Sequence, residues 1–158
     1  LSHDVGGAIA AGGTVDEAAL ARLMDTDWFD QPPPKSLDRN HFDSAPVRGL
    51  SLADGAATLA AFTAASVARG IAHLPAPPRR ILVAGGGRHN ATLMAMLARR
   101  TGLPVAPVEA VGWSGDATEA EAFAYLAVRR LKALPISFPA TTGVEAPVVG
   151  GRIHRPAG

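Results

Sequence analysis

The segment from Arg80 to Thr101 constrains the fold more than any other. A short apolar run, Ile81-Leu82-Val83-Ala84, leads into Gly85-Gly86-Gly87 and then into a helical pattern from about His89 to Arg100. A continuous apolar run of that length, with no polar alternation, marks a strand buried on both faces. Leu103 to Val108 reads as a second strand. The whole is a strand-helix-strand unit with a right-handed connection, and the predicted fold class is α/β with helices packed on a central sheet.

Successive glycines at the exit of such a strand let the backbone approach a ligand with no side chain in the way. The helix that follows offers unpaired N–H groups and the positive end of its dipole, which suits a ribose or a phosphate. A tight turn without a ligand is the competing reading. A dinucleotide fingerprint needs glycine at the first, third and sixth positions of the turn, and the sixth is Asn90. Glu109 closes the second strand about where a dehydrogenase keeps an acid for the ribose, so a dinucleotide-binding oxidoreductase stands as the alternative. Asn90 also reads as the cap of its helix. Arg88 and His89 read as solvent-facing turn residues.

Around this unit the periodicity predicts a short amphipathic helix from Val15 to near Trp28 and Phe29, with Ala19, Leu20, Leu23 and Met24 on one face. Pro32-Pro33-Pro34 then holds the backbone extended, placing Lys35, Ser36 and Arg39 on a loop. A longer helix runs from Ser51, with Asp54 as its capping partner, to about Leu74, and its many alanines suit close packing. A further helix is expected from Asp116 to about Lys132, followed by an irregular tail with one or two short edge strands.

Composition narrows the function. The 158 residues suffice for a single domain over 1–158, and 15 basic against 14 acidic residues, with no long run of either sign, argue against nucleic acid as a partner. With no cysteine there is neither a disulfide framework nor a thiolate zinc site, which points to a reducing, cytoplasmic setting. No apolar run reaches the roughly 18–20 residues of a membrane span, so no membrane partner is expected. The five histidines lack metal-ligand spacing, and no serine sits in a nucleophile elbow. The opening, Leu1-Ser2-His3-Asp4-Val5-Gly6-Gly7, has no methionine and reads as a loop, so a fragment or processed piece is expected.

Five segments in register share a further pattern. They are Asp4-x-x-Gly7-x-x-Ala10-x-x-Gly13; Pro33-Pro34-Lys35-Ser36 with Arg39 and Phe42; Ala57-Thr58-Leu59 with Thr63-Ala64; Gly85-Gly86-Gly87-Arg88-His89-Asn90 with Leu93-Met94 and Leu97; and Asp116-x-x-Glu119-Ala120-x-Ala122-Phe123-Ala124. Together they resemble the anhydro-N-acetylmuramic acid kinases, which belong with hexokinase and actin in one ribonuclease H-like superfamily.

The resemblance implies a two-lobed kinase that uses ATP and Mg2+. It opens the 1,6-anhydro ring of anhydro-N-acetylmuramic acid with water while phosphorylating O6, giving N-acetylmuramic acid 6-phosphate in peptidoglycan recycling. This chain would be the C-terminal, adenosine-binding part of the second lobe, with the N-terminal lobe absent and a homodimer as the candidate assembly. Gly85, Gly86, Gly87, Asn90, Lys35, Ser36 and Arg39 would contact the nucleotide, and Glu119 the sugar. The family's phosphate loops and catalytic aspartate match nothing here, so no catalytic residue is assigned and the chain alone is expected to be inactive.

After Pro-Pro-Lys-Ser the family reads Thr-Gly-Arg-Glu, whereas this chain has Leu37, Asp38, Arg39 and Asn40. Only Lys35, Ser36 and Arg39 therefore carry over, and a solvated connector is the other reading of the loop. Asp116 and Glu119, three apart at a helix start, also fit a capping box that needs no ligand. Besides the kinase and the oxidoreductase, a non-catalytic nucleotide-binding module is the third class. Titration with ATP and with NAD separates the first two, since saturable NAD binding without ATP binding overturns the kinase reading. An assay of the chain alone for phosphorylated sugar is expected to show no turnover.

Overall fold

The computed structural model describes residues 3–154, which form two compact units. The first comprises residues 3–31 and 37–116, the second residues 32–36 and 117–154.

Helices in the first unit start where side chains satisfy their free N–H groups. Asp4 accepts from the amides of Ile9 and Ala10 and so opens α1 (Ala8–Ala11). Asp16 accepts from Ala19 N–H and opens α2 (Glu17–Met24). The sequence pattern carried this helix on to Phe29. The structure ends it at Met24, because Thr26 is extended and its hydroxyl caps a separate 3-10 turn, Asp27–Asp30. Trp28, Phe29, Phe42 and Phe62 then gather in edge-to-face and stacked pairs.

The longest helix, α3 (Leu52–Ile71), begins as its sequence predicts. Ser51 Oγ accepts from Asp54 N–H and donates to Asp54 Oδ2, while Asp54 Oδ1 accepts from Thr14 N–H. The Thr14 amide, and then the Ser51 hydroxyl, hold the Asp54 carboxyl below its ordinary 3.8. One face of α3 is small and buried, with Ala57, Thr58, Ala61 and Ala64 packed beneath Leu20, Met96 and Leu97. Gly13 meets the same helix so closely that a Cβ there would lie 2.0 Å from the Ala53 carbonyl oxygen.

The sheet is small: β1 (Ile81–Val83) and β2 (Val105–Pro107) run parallel, with Ile81 opposite Val105 and Val83 opposite Pro107. Between them lies α4 (Ala91–Thr101), which starts later than expected because a 3-10 turn, Gly86–His89, follows the strand. Val83 and Val105 pack against the helical core, so the first unit is α/β with helices laid on a short parallel sheet.

In the second unit, α5 (Thr118–Leu131) is followed by α6 (Pro139–Thr142) and a single antiparallel bridge between Ser137 and Val148. Arg129 ties the helix to its tail by donating from Nε to the Pro135 carbonyl and lying over the Tyr125 and Phe138 rings. Arg130 Nε donates to the Gly151 carbonyl.

Among the described residues Thr58 is the one buried polar residue in the first unit, and its hydroxyl accepts from Asp16 N–H and donates to the Asp54 carbonyl. Thr58→Val keeps the shape and orphans the Asp16 amide, so a loss of about 1–3 kcal/mol is expected in denaturant unfolding. The exposed Thr63, which bonds only the Leu59 carbonyl of its own helix, serves as control. Thr63→Val should change stability by no more than about 0.5 kcal/mol.

Candidate functional site

The two parallel strands deliver their carboxyl ends side by side, the edge at which open α/β sheets place ligands. Gly85 leaves β1 at φ 68, ψ −171, a conformation that glycine adopts and side chains resist. Nothing lies within 4 Å of where a Cβ would stand at Gly85 or Gly86. The backbone of the turn is therefore bare and faces open space.

Four hydrogen bonds close a ring that fixes this turn to the end of β2. Gly85 N–H donates to the Gly115 carbonyl at 3.1 Å, and Gly115 N–H to Glu109 Oε1 at 3.0 Å. Arg88 Nε donates to the same carboxylate oxygen at 2.9 Å, and Arg88 Nη1 to the Gly85 carbonyl, also at 2.9 Å. Outside the ring, Arg88 Nη2 pairs with Asp116 at 2.9 Å. The Arg88 side chain lies against Gly115, where a Cβ would stand 2.3 Å from Arg88 Nε, so position 115 has no room for a side chain.

This arrangement corrects two expectations. Arg88 is not a solvent-facing residue, since its side chain is only 4% exposed and three acceptors hold it. Nor do Asp116 and Glu119 form a capping box. The cap position of α5 is Ala117, whose side chain supplies no cap, and Asp116 pairs with Arg88 instead. Glu119 lies exposed in the first turn of α5, where the helix dipole favours its charge. The local signal, an acid three residues before another at a helix start, was overridden by a cation 28 positions upstream in the chain.

Charges in the ring shift accordingly. The amides of Glu109 itself and of Gly115, with Arg88 beside them, hold the Glu109 carboxyl below its ordinary 4.5. Asp116, and then Glu109, push the Arg88 guanidinium further toward its charged form. The acid that a dinucleotide site would offer to a ribose thus already serves Arg88 and Gly115 through one of its oxygens.

Asn90 does cap its helix: Oδ1 accepts from Leu93 N–H at 2.8 Å. Gly7 makes room for it, since a Cβ there would fall 2.1 Å from that oxygen, and Thr92 Oγ1 locks the pair by donating to the Gly7 carbonyl. The candidate residues divide between the units. Gly85, Gly86, Gly87 and Asn90 lie in the first, and Lys35, Ser36 and Glu119 in the second. Arg39 opens a 3-10 turn capped by Asp38, and its side chain lies outside the described residues. Trp113 is exposed, and Trp28 packs in the aromatic cluster. Among the described residues no three His, Asp or Glu side chains converge as metal ligands, and no helix is long and apolar enough to cross a membrane.

The family described as anhydro-N-acetylmuramic acid kinase matches residues 1–156. The chain is 64% identical over 154 residues to the anhydro-N-acetylmuramic acid kinase of Rhizorhabdus wittichii, covering 98% of this chain and 42% of that protein. It is 62% identical over 158 residues to the enzyme so named in Acidiphilium cryptum, covering 98% of this chain and 44% of that protein. For Rhodospirillum rubrum the values are 57% over 151 residues, with 96% and 40% covered. The chain thus spans about two fifths of the length of the curated relatives it matches.

The ring makes stability depend on pH with a definite sign. Because the folded-state value of Glu109 lies below 4.5, its contribution is present above that value and is lost as pH falls through the depressed one. Glu109→Gln should lower the denaturation midpoint at about pH 7, and the gap to the unchanged chain should narrow as pH falls below 4.5 and vanish once the depressed folded-state value is passed. A gap that stays constant across that range would show that the carboxylate's charge does not matter.

Proposed function

The chain belongs to the anhydro-N-acetylmuramic acid kinase family, and from that premise we propose that it is the adenosine-side, C-terminal part of a two-lobed, ATP-dependent kinase of the actin and hexokinase type. The whole enzyme converts 1,6-anhydro-N-acetylmuramic acid, ATP and water to N-acetylmuramic acid 6-phosphate and ADP, in the cytoplasm and as a homodimer. Water adds as the anhydro ring opens, and the oxygen released from the ring, O6, receives the phosphoryl group.

The observation that carries this reading is the bare, open backbone of Gly85 and Gly86 at the carboxyl end of β1. A nucleoside laid on it meets no side chain, and the cap at Asn90 fixes where the following helix begins. Gly85, Gly86, Gly87 and Asn90 hold the adenosine end, with Lys35, Ser36 and Arg39 as further nucleotide contacts and Glu119 accepting sugar hydroxyls. Mg2+ supplied with the nucleotide would offset the charge of the phosphates. Among the described residues no three His, Asp or Glu side chains gather as a ligand set for it. The phosphate loops and the aspartate that activates water belong to the remainder of the full-length protein.

Two substitutions in the full-length enzyme test this. Gly86→Leu fills the space above the turn and should raise KM for ATP by about tenfold or more, the weight of one lost close contact surface, with KM for the sugar unchanged. Glu119→Gln should do the reverse, raising KM for the sugar by about tenfold or more as a charge-assisted hydrogen bond is weakened. An unchanged KM for ATP in the first variant removes the nucleotide from the turn, and unchanged sugar binding in the second removes the Glu119 contact.

A further inference from the structure

A run of three glycines is the least constrained backbone a chain can present, yet a binding surface has to hold one shape. Gly85 stands at a positive φ with its neighbour Gly86 in open space, so no packing of side chains restrains them. What restrains Gly85 is hydrogen bonding at both its ends. Its N–H is held by the Gly115 carbonyl, and its carbonyl accepts from Arg88 Nη1 at 2.9 Å and, at the longer 3.3 Å, from the Arg88 N–H.

We propose that Arg88 is a positioning residue for the nucleotide: its guanidinium joins the Gly85 carbonyl to Glu109 and Asp116 and so holds the Gly85–Gly87 turn in its open, ligand-ready shape. The proposal rests on the reading that this turn holds the nucleotide, and it extends that reading to a residue that does not touch the ligand. With its side chain 4% exposed, Arg88 is withdrawn from solvent and acts through the backbone it grips. Its three acceptors lie on three different segments: the exit of β1, the 3-10 turn Val108–Val111 that follows β2, and the residue just before Ala117.

Only a guanidinium suits this geometry. Its planar fork directs Nε, Nη1 and Nη2 outward in one plane, so one side chain spans three acceptors, whereas an ammonium is a point charge that reaches one or two. The site is also shaped around that plane, since Gly115 leaves the volume that the guanidinium fills. Isolated ion pairs on a surface contribute little, but here the guanidinium is withdrawn from solvent and is tied to a backbone carbonyl as well as to the two acids.

Steady-state kinetics of the full-length enzyme tests the proposal with Arg88→Lys, Arg88→Gln, Asp116→Asn and the turn variant Gly86→Leu. Arg88→Gln and Arg88→Lys should raise KM for ATP by about tenfold and about three- to tenfold, while KM for the sugar stays the same and kcat changes by less than about twofold. Asp116, 84% exposed in its side chain, is removed without disturbing the core. Asp116→Asn should raise KM for ATP by about two- to threefold at an unchanged melting temperature, as expected for a single leg of the clasp.

If Gly86→Leu raises KM for ATP and the Arg88 variants do not, Arg88 does not position the nucleotide and the proposal is overturned while the site stands. If neither acts on ATP, the nucleotide is not at the turn, and both readings go. Should the Arg88 variants fail to fold, or weaken ATP and sugar alike, Asp116→Asn decides: a selective rise in KM for ATP supports the clasp, and an unchanged value overturns it.

Discussion

The small, buried face of α3 is the constraint on which the first unit depends. Ala57, Ala61 and Ala64 carry almost no exposed surface, and only such residues let neighbouring helices approach closely. Leu20 from α2 and Met96 and Leu97 from α4 fill the space above them. Because α4 is seated there, the point at which its N-terminus meets the glycine turn is set by packing well away from the turn. The Asp54 carboxylate and the Thr58 hydroxyl extend this control, tying the chain between α1 and α2 to the start of the same helix.

Most of the residues that make the chain recognisable turn out to serve this packing. Asp4 satisfies two amides of α1, Gly7 yields to Asn90, Ala10 is buried, and Gly13 lies against the Ala53 carbonyl. Phe42 stacks among aromatic rings, and Thr58 bonds inside the core. Chemistry needs few of them. Gly86 differs, because its missing side chain spares nothing in the protein itself, whereas Gly85 is also called for by its positive φ. A motif position whose space the fold leaves empty is the one to associate with a ligand.

Phosphoryl transfer relies on positioning and charge stabilisation more than on covalent chemistry supplied by the protein. On the proposed function, what this chain would bring to that task is a backbone platform held by hydrogen bonds. The ring of Gly85, Gly115, Glu109 and Arg88 converts a flexible glycine run into a defined surface at the ends of two strands. Preorganisation of this kind lowers the ordering cost of binding and leaves the ligand's own contacts to be made by backbone.

Local periodicity and capping chemistry made the elements legible: the α3 start at Ser51, the cap at Asn90, and the order of strand, glycine turn, helix and strand, while the family was legible in five motif segments in register. Helix ends were less so, as at Met24, where a threonine hydroxyl two residues on restarted the chain as a 3-10 turn. The roles of Arg88, Glu109, Gly115 and Asp116 were not readable along the chain. Arg88 after three glycines has the composition of a loop, and Asp116 before α5 has that of a cap. Sequence by itself determined which segments are helix and strand and which relatives share them, since those follow from spacing among near neighbours. Only the tertiary structure decided that a turn arginine is buried in a clasp, because its partners are 21 and 28 residues away and meet it only when the two strands lie side by side.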